Sequence, residues 1–233
     1  MSREIVTTGI ILTRTDYLEA DRILTYLTPD YGKVKAIAKS VRKNKSKLAG
    51  SIELFSISEI TVIGGKGEIN TLISSRLIKH YGEIIKDYNR TTTAYNVMKT
   101  TNKAIEDAAE SGYYDLLEKS LDALNDNKID SDLIGLWFEM QLLKLSGHAP
   151  NLQTDINGEK LKQADAYNFY MDHMRFAPKR DKQGKYSDNH IKFLRIGFAS
   201  PKPDLLSRIN NLDPLIKTSQ PLVQTMLRSY IRI

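Results

Sequence analysis

The feature that most constrains this chain is a change of hydrophobic period near Gly82. Before it, apolar residues recur at every second position; after it, at every third or fourth. A period of two lays side chains on alternate faces of a strand, whereas 3.6 lays them along one stripe of a helix. The chain therefore reads as a β-rich N-terminal part followed by a mainly α-helical one, an α+β fold. Residues 5–13 are rich in β-branched side chains, 22–28 alternate, and 33–39 alternate polar with apolar. Residues 29–32, Pro-Asp-Tyr-Gly, supply the turn between the second and third runs. Residues 51–63 read as a fourth strand, with Ile52, Leu54, Ile57, Ile60 and Val62 and a bulge between them. Residues 68–74 return as its partner after the glycine-rich connection 64–67. Five strands with one longer link after the third match a small Greek-key barrel of the OB type.

From about 90 to 110, Tyr95, Met98, Ile105 and Ala108 share one face of a helix. Tyr113, Leu116, Leu117, Leu121 and Leu124 make a second stripe. Asp130 or Ser131 caps a third helix that stops near Gly147, and its residues 133–143 are apolar nearly all round, which predicts the buried centre of the helical part. Residues 148–190 are rich in Asn, Asp, Gly and Lys apart from 167–176, which alternate like a short strand or hairpin. Helical spacing resumes over 188–198 and 218–232, with Pro221 expected in a first turn. Two domains follow: an OB barrel over 1–80 and a helical domain over 81–233.

Apolar residues make up 41% of the 233 positions, enough for packed cores. There is no cysteine, which excludes disulfides and thiolate-held zinc and fits a reducing compartment. The first residues lack the apolar stretch and cleavage site of a secretory signal, and no run of 18 apolar residues is present to span a membrane, so the expected location is cytoplasmic. Charge is unevenly placed. Residues 1–80 carry net +5, 81–150 net −5 and 151–233 net +6. Basic ends around an acidic middle point to a polyanionic partner, nucleic acid or an acidic peptide.

The densest cationic run is Lys33, Lys35, Lys39, Arg42, Lys43, Lys45 and Lys47, with no acid among them. Phosphates neutralise such a run well, because binding releases the counterions condensed on the strand. The alternation is expected to place Lys33, Lys35 and Lys39 on the outer face of one strand and the rest on the loop after it. Tyr17, Tyr26, Tyr31 and Phe55 lie near enough in sequence to offer base-stacking surfaces, with Tyr17 and Tyr31, at turns, the preferred pair. In the C-terminal third, Arg175, Lys179, Arg180, Lys182 and Lys185 are candidate cations for an acidic protein tail whose apolar end would enter a groove between helices.

Catalytic patterns are poor, so the chain is expected to be non-enzymatic and without a cofactor. His80, His148, His173 and His190 are scattered. Residues 64–68 lack phosphate-loop spacing and read as a hairpin turn. Glu19 and Asp21 could hold Mg²⁺ in a nuclease but have no third carboxylate at a compelling spacing. Ser40 and Ser46 lie among lysines without a base nearby in sequence.

Several blocks together resemble the bacterial recombination mediator family RecO. They are Gly9-Ile10-Ile11-Leu12, Asp16-Tyr17-Leu18-Glu19-Ala20-Asp21-Arg22-Ile23-Leu24, Leu27-Thr28-Pro29-Asp30-Tyr31-Gly32-Lys33, and Ala38-Lys39-Ser40-Val41-Arg42 with Lys45-Ser46. Tyr95 and residues 138–152 are similar to that family's helical core. The resemblance implies an OB domain before a helical domain, binding of single- and double-stranded DNA, annealing of complementary strands, and help in loading recombinase onto strands coated by single-strand-binding protein. The implied partners are that protein's acidic C-terminal tail, RecR and, indirectly, RecA. Lys39 and Arg42 match a stretch rich in DNA-contacting cations. Many members carry a zinc knuckle with two C-x-x-C pairs. Here residues 154–158 stand in place of the first pair and Ser187-Asp188-Asn189-His190 in place of the second, so the region 148–190 is expected to be a degenerate, metal-free knuckle whose residues 154–190 either fold without metal or stay partly mobile.

Overall fold

A computed structural model describes residues 4–43, 46, 48–64, 67, 69–105, 111–161, 166–179 and 184–231. The chain forms two compact units, residues 1–127 and 128–233.

In the first unit the period-two runs become five strands: β1 (Glu4–Tyr17), β2 (Asp21–Thr28), β3 (Gly32–Ala38), β4 (Ser56–Ile63) and β5 (Asn70–His80). They close into a barrel in the order β1-β2-β3-β5-β4, antiparallel except where β3 meets β5. Ile11, Leu24, Tyr26, Val34, Ala36, Ile60, Val62 and Leu72 fill its interior, the strand positions that period two turns inward. Gly9 is required by packing, since a Cβ there would meet the Tyr26 ring at 2.9 Å. Ile52 and Leu54 are not on a strand. Residues Ala49–Ser51 form a 3₁₀ turn and Phe55 takes a left-handed φ of 56°, so β4 starts only at Ser56. The Ser51 carbonyl at that turn accepts hydrogen bonds from the Ser58 and Ser75 hydroxyls, which holds the linking segment over the barrel end.

Two helices follow in the same unit, α1 (Tyr88–Ala104) and α2 (Ser111–Asn125). They pack on β1 and β2, which is why the outward residues Ile10 and Leu27 are also buried. The Asp87 carboxylate caps α1 by accepting the Arg90 N–H at 2.9 Å. The buried face of α1 is Ala94, Val97, Met98 and Thr101; Tyr95 is half exposed, and Ala108 lies outside the described residues. The α2 stripe of Tyr113, Leu116, Leu117, Leu121 and Leu124 is buried as expected.

The second unit is built around α3 (Ser131–Leu145), whose buried residues lie on every side of the helix. Asp130 is the N-cap and accepts the N–H groups of Asp132 and Leu133. At the other end Gly147 takes a φ of 79° and the His148 N–H returns to the Leu143 carbonyl, a Schellman closure. A hairpin of β6 (Tyr167–Tyr170) and β7 (Arg175–Pro178) precedes α4 (Asp188–Ala199) and α5 (Leu212–Tyr230). Three α3 side chains satisfy carbonyls left over at the end of α4. Trp137 Nε1 donates to Ser200, Gln141 Nε2 to Gly197 and Lys144 Nζ to Phe198, at 3.0, 2.7 and 3.0 Å. α5 starts at Leu212, not near 218, because Leu215 and Ile216 extend its buried stripe backward by a turn. Pro221 consequently lies inside the helix, where it has no N–H for the Lys217 carbonyl.

Candidate nucleic-acid interface

The register of β1, β2 and β3 decides where the cations go. Arg14 stands opposite Leu24, Asp16 opposite Arg22, and Arg22 opposite Ala38. Leu24 and Ala38 belong to the barrel core, so Arg14, Asp16 and Arg22 continue the inner face past its last apolar layer. They line the mouth of the barrel at the end where β1 and β3 finish. Arg22 Nε donates to Asp16 Oδ1 at 2.8 Å, and Arg42 Nε approaches Asp16 Oδ2 at 3.5 Å. Arg14 Nη1 donates to Glu53 Oε2 at 2.8 Å. The hydrogen bond from Arg22, with the fields of Arg42 and Arg14, holds the Asp16 carboxyl below the ordinary carboxylate range.

The loop after β3 is fastened to the same mouth. Ser40 adopts a φ of 53° and donates its N–H to Asp21 Oδ1 at 2.7 Å. The Arg42 N–H donates to the Ala20 carbonyl at 2.9 Å, and the Val41 side chain is buried in the core. The turn at Ser40 presents Lys39, Arg42 and Lys43, all exposed, beside the β1–β2 hairpin. The Asp21 carboxylate thus positions a loop, and no group of three or more metal-ligating side chains occurs among the described residues.

The cations expected on one strand face are divided. β3 ends at Ala38, so Lys39 lies in the turn and not on the strand. Val34, Ala36 and Ala38 point inward, which leaves Lys33 and Lys35 on the outer wall. Lys33 Nζ is occupied there, donating to the Asn102 carbonyl near the C-terminal end of α1 at 3.2 Å. Lys35 is exposed; Lys45 and Lys47 lie outside the described residues. Tyr17 ends β1 at the mouth and is 43% exposed. Tyr31 is also exposed, but in the β2–β3 turn, at the far end of strands that pair Thr28 with Gly32. Six residues of β2 separate the two ends, roughly 20 Å at 3.3 Å per residue. Tyr26 and Phe55 are core residues, and Phe55 meets Tyr95 edge-on at 5.1 Å. Arg14 and Arg22 escape a sequence reading because each is the single cation of its strand; only the hairpin register brings them together.

In the second unit, the positions of the family's zinc-binding pairs are occupied by local polar closures. Asp155 is buried, and its Oδ1 accepts the N–H groups of Asn157 and Glu159 at 2.8 and 3.0 Å. Gly158, with a φ of 83°, completes this turn. At the second position, His190 Nδ1 faces Ser187 Oγ at 2.8 Å and accepts the Ser187 N–H at 3.1 Å, at the start of α4. With Nδ1 accepting that bond, the ring proton sits on Nε2, which is buried without a hydrogen-bond partner. Phe176 makes edge-on contacts with Phe169 and Tyr186.

Of the cations considered for an acidic tail, Arg175 donates to the Asp155 carbonyl at 3.3 Å and Lys179 is half buried. Arg180 and Lys182 lie outside the described residues. Lys185 lines a groove of about 320 Å³ together with Phe169, Tyr170, Tyr186 and Leu222.

A five-stranded OB-type barrel with an arginine-lined mouth, followed by a helical domain, is the class that this architecture defines. Two family models cover nearly the whole chain: Recombination protein O N terminal over residues 1–81 and Recombination protein O C terminal over residues 85–231. The chain belongs to the RecO family, as a member without the zinc-knuckle cysteines. It is 38% identical over 152 residues to a protein of Dehalococcoides mccartyi named DNA repair protein RecO, covering 65% of this chain and 59% of that one. A relative of the same name from another strain is 38% identical over 165 residues, covering 70% of this chain and 64% of its own length. The match thus spans less than two thirds of either relative. A Listeria monocytogenes DNA repair protein RecO is 29% identical over 217 residues, 91% of this chain and 82% of that protein. Among the described residues no helix is long and apolar enough to cross a membrane.

Proposed function

We propose that this chain is a non-enzymatic DNA repair and recombination mediator that grips DNA strands at the mouth of its barrel. It binds single- and double-stranded DNA, anneals complementary strands and helps load recombinase onto strands coated by single-strand-binding protein, at the nucleoid in the cytoplasm. One observation carries the reading: Arg14, Arg22, Lys39, Arg42 and Lys43 converge at one end of the barrel beside the exposed Tyr17. Cations so placed take phosphates regardless of base, and a tyrosine face stacks on any base. Two strands that share one cationic surface repel each other less, which favours annealing. The assay is fluorescence anisotropy of a labelled oligonucleotide across a salt series. Lys39→Ala and Arg42→Ala each flatten the log–log slope by about 0.7 on single strands. Lys33→Ala, whose ammonium is already spent on Asn102, leaves the slope as it was. An affinity independent of salt refutes the reading.

The groove at Lys185 favours a second, compatible reading. It suits the acidic C-terminal tail of single-strand-binding protein, with an apolar end among Phe169, Tyr170 and Leu222 and a carboxylate at Lys185. Calorimetry with an acidic tail peptide gives heat that Lys185→Glu abolishes; no heat with the unaltered protein ends this part. RecR, and RecA through it, complete the expected partners. The competing nuclease reading requires cleavage of labelled strands with Mg²⁺ or Mn²⁺, and commitment of Asp21 to the Ser40 N–H counts against it.

A further inference from the structure

The mouth of the barrel already holds an anion, and it belongs to the chain. Asp16 is the last inner-face residue of β1, directly opposite Arg22 in the ladder. One of its oxygens takes the Arg22 Nε hydrogen at 2.8 Å and the other faces Arg42 Nε at 3.5 Å. Two guanidinium groups on the two oxygens of one carboxylate is also how arginines hold a phosphate. The arrangement is open to water: the Asp16 side chain is 54% exposed and that of Arg42 38%. Arg22 and Arg42 come from different elements, and the loop that carries Arg42 is fastened independently of Asp16, by Ser40 to Asp21 and by Arg42 N–H to Ala20. Loss of the carboxylate therefore leaves in place the backbone that carries the two arginines.

The geometry points to a phosphate seat between Arg22 and Arg42 that Asp16 occupies as a displaceable internal ligand, so that a DNA phosphate enters by exchange with the carboxylate. This assignment rests on the reading of the mouth as the DNA-binding surface and adds a regulator to it. Exchange means that contact at this seat breaks one ion pair for each that it forms. The seat then takes an anion of higher charge in preference to one of lower charge, and the chain is restrained from holding the many weaker anions of the cell. It also allows release, because the carboxylate is on hand to recapture the guanidinium groups when a strand is passed on.

The test compares Asp16→Asn with Asp30→Asn. Both remove one negative charge, but Asp30 is exposed in the β2–β3 turn at the opposite end of the barrel. Binding of a labelled oligothymidine is measured by anisotropy over a salt series, with thermal melting of each variant to confirm folding. Asp16→Asn is expected to tighten binding roughly three- to tenfold and to steepen the salt slope by about 0.7, while Asp30→Asn stays near the parent. Equal changes in the two variants reduce the effect to net charge and overturn the assignment. Weaker binding by a folded Asp16→Asn makes the carboxylate an organiser of the site and overturns it too. The Nε–H signals of Arg22 and Arg42, followed by NMR during titration with inorganic pyrophosphate, keep the two levels apart. Signals that move, and move further in Asp16→Asn, uphold the seat even where no strand binds, which would sink only the DNA reading. Tight strand binding with both signals still overturns the seat and spares that reading.

Discussion

Glu139 offers the sharpest test of the packing in the second unit. It sits in α3 and faces α5, where its Oε1 accepts Gln224 Nε2 at 3.3 Å while its Oε2 is buried without a hydrogen-bond partner. Burial pushes its carboxyl up to about 7 from 4.5, against smaller opposing effects of the Gln224 hydrogen bond and the Arg228 charge. The folded form thus keeps a proton that the unfolded chain releases near pH 4.5. Between those two values the native state binds more protons, so stability falls as pH rises and the full cost is present above pH 7. A shift of this size is worth about 3 kcal/mol, at 1.36 kcal/mol per unit. Glu139→Gln keeps the shape and cannot ionise. It should match the parent near pH 4 and exceed it by about 3 kcal/mol at pH 8.5, roughly 6–12 °C in melting temperature for a chain of this length. Trp137 is the one tryptophan, is buried in the same helix, and makes urea unfolding of this unit readable by fluorescence. Parallel stability profiles for parent and variant from pH 4 to 8.5 would refute the reasoning, because they would mean that the carboxyl meets water in the folded state.

Gly184→Ala should cost about 1–3 kcal/mol in the same urea assay, since its Cβ would run into the Tyr167 backbone that pairs with Tyr186. Ser187→Ala removes the partner of His190 at the start of α4 and should cost about 1 kcal/mol. Gly197→Ala presses a methyl group against the Met140 thioether, and a flexible methionine yields at a cost of about 1 kcal/mol, less than at Gly184. Excess chelator should leave the melting curve unchanged, because polar side chains and backbone close the turns at Asp155 and at Ser187–His190; a fall in melting temperature would contradict that account.

How much was legible in the sequence depended on the range of the interactions involved. The period-two runs of β1 to β3 and the all-round apolar run of α3 announce themselves, because each reflects burial of a local pattern. Ile52 and Leu54 mislead, since they are spaced as on a strand although the chain at Phe55 bends through a left-handed residue. Pro221 misleads in the opposite way: proline is common in a first turn, and only the burial of Leu215 and Ile216 shows that the helix starts earlier. The cluster of Lys33 to Lys47 is plain in the sequence, but not its division between wall and mouth, which follows from the turn at Ser40. Arg14, Arg22 and Asp16 were invisible as a group because they meet through cross-strand register. Register is a property of paired strands, and no window of one strand contains it.

The closures at Asp155 and Ser187–His190 have a chemical consequence. Peroxide and hypochlorous acid convert cysteine thiolates to sulfenic acids and disulfides, and zinc ligated by them is released. Nothing at these two corners can be lost in that way. The sulfur atoms of the β6–β7 hairpin are the thioethers of Met171 and Met174, both half buried. The fold of these two turns is thereby independent of the thiol redox balance that would govern a cysteine-ligated knuckle.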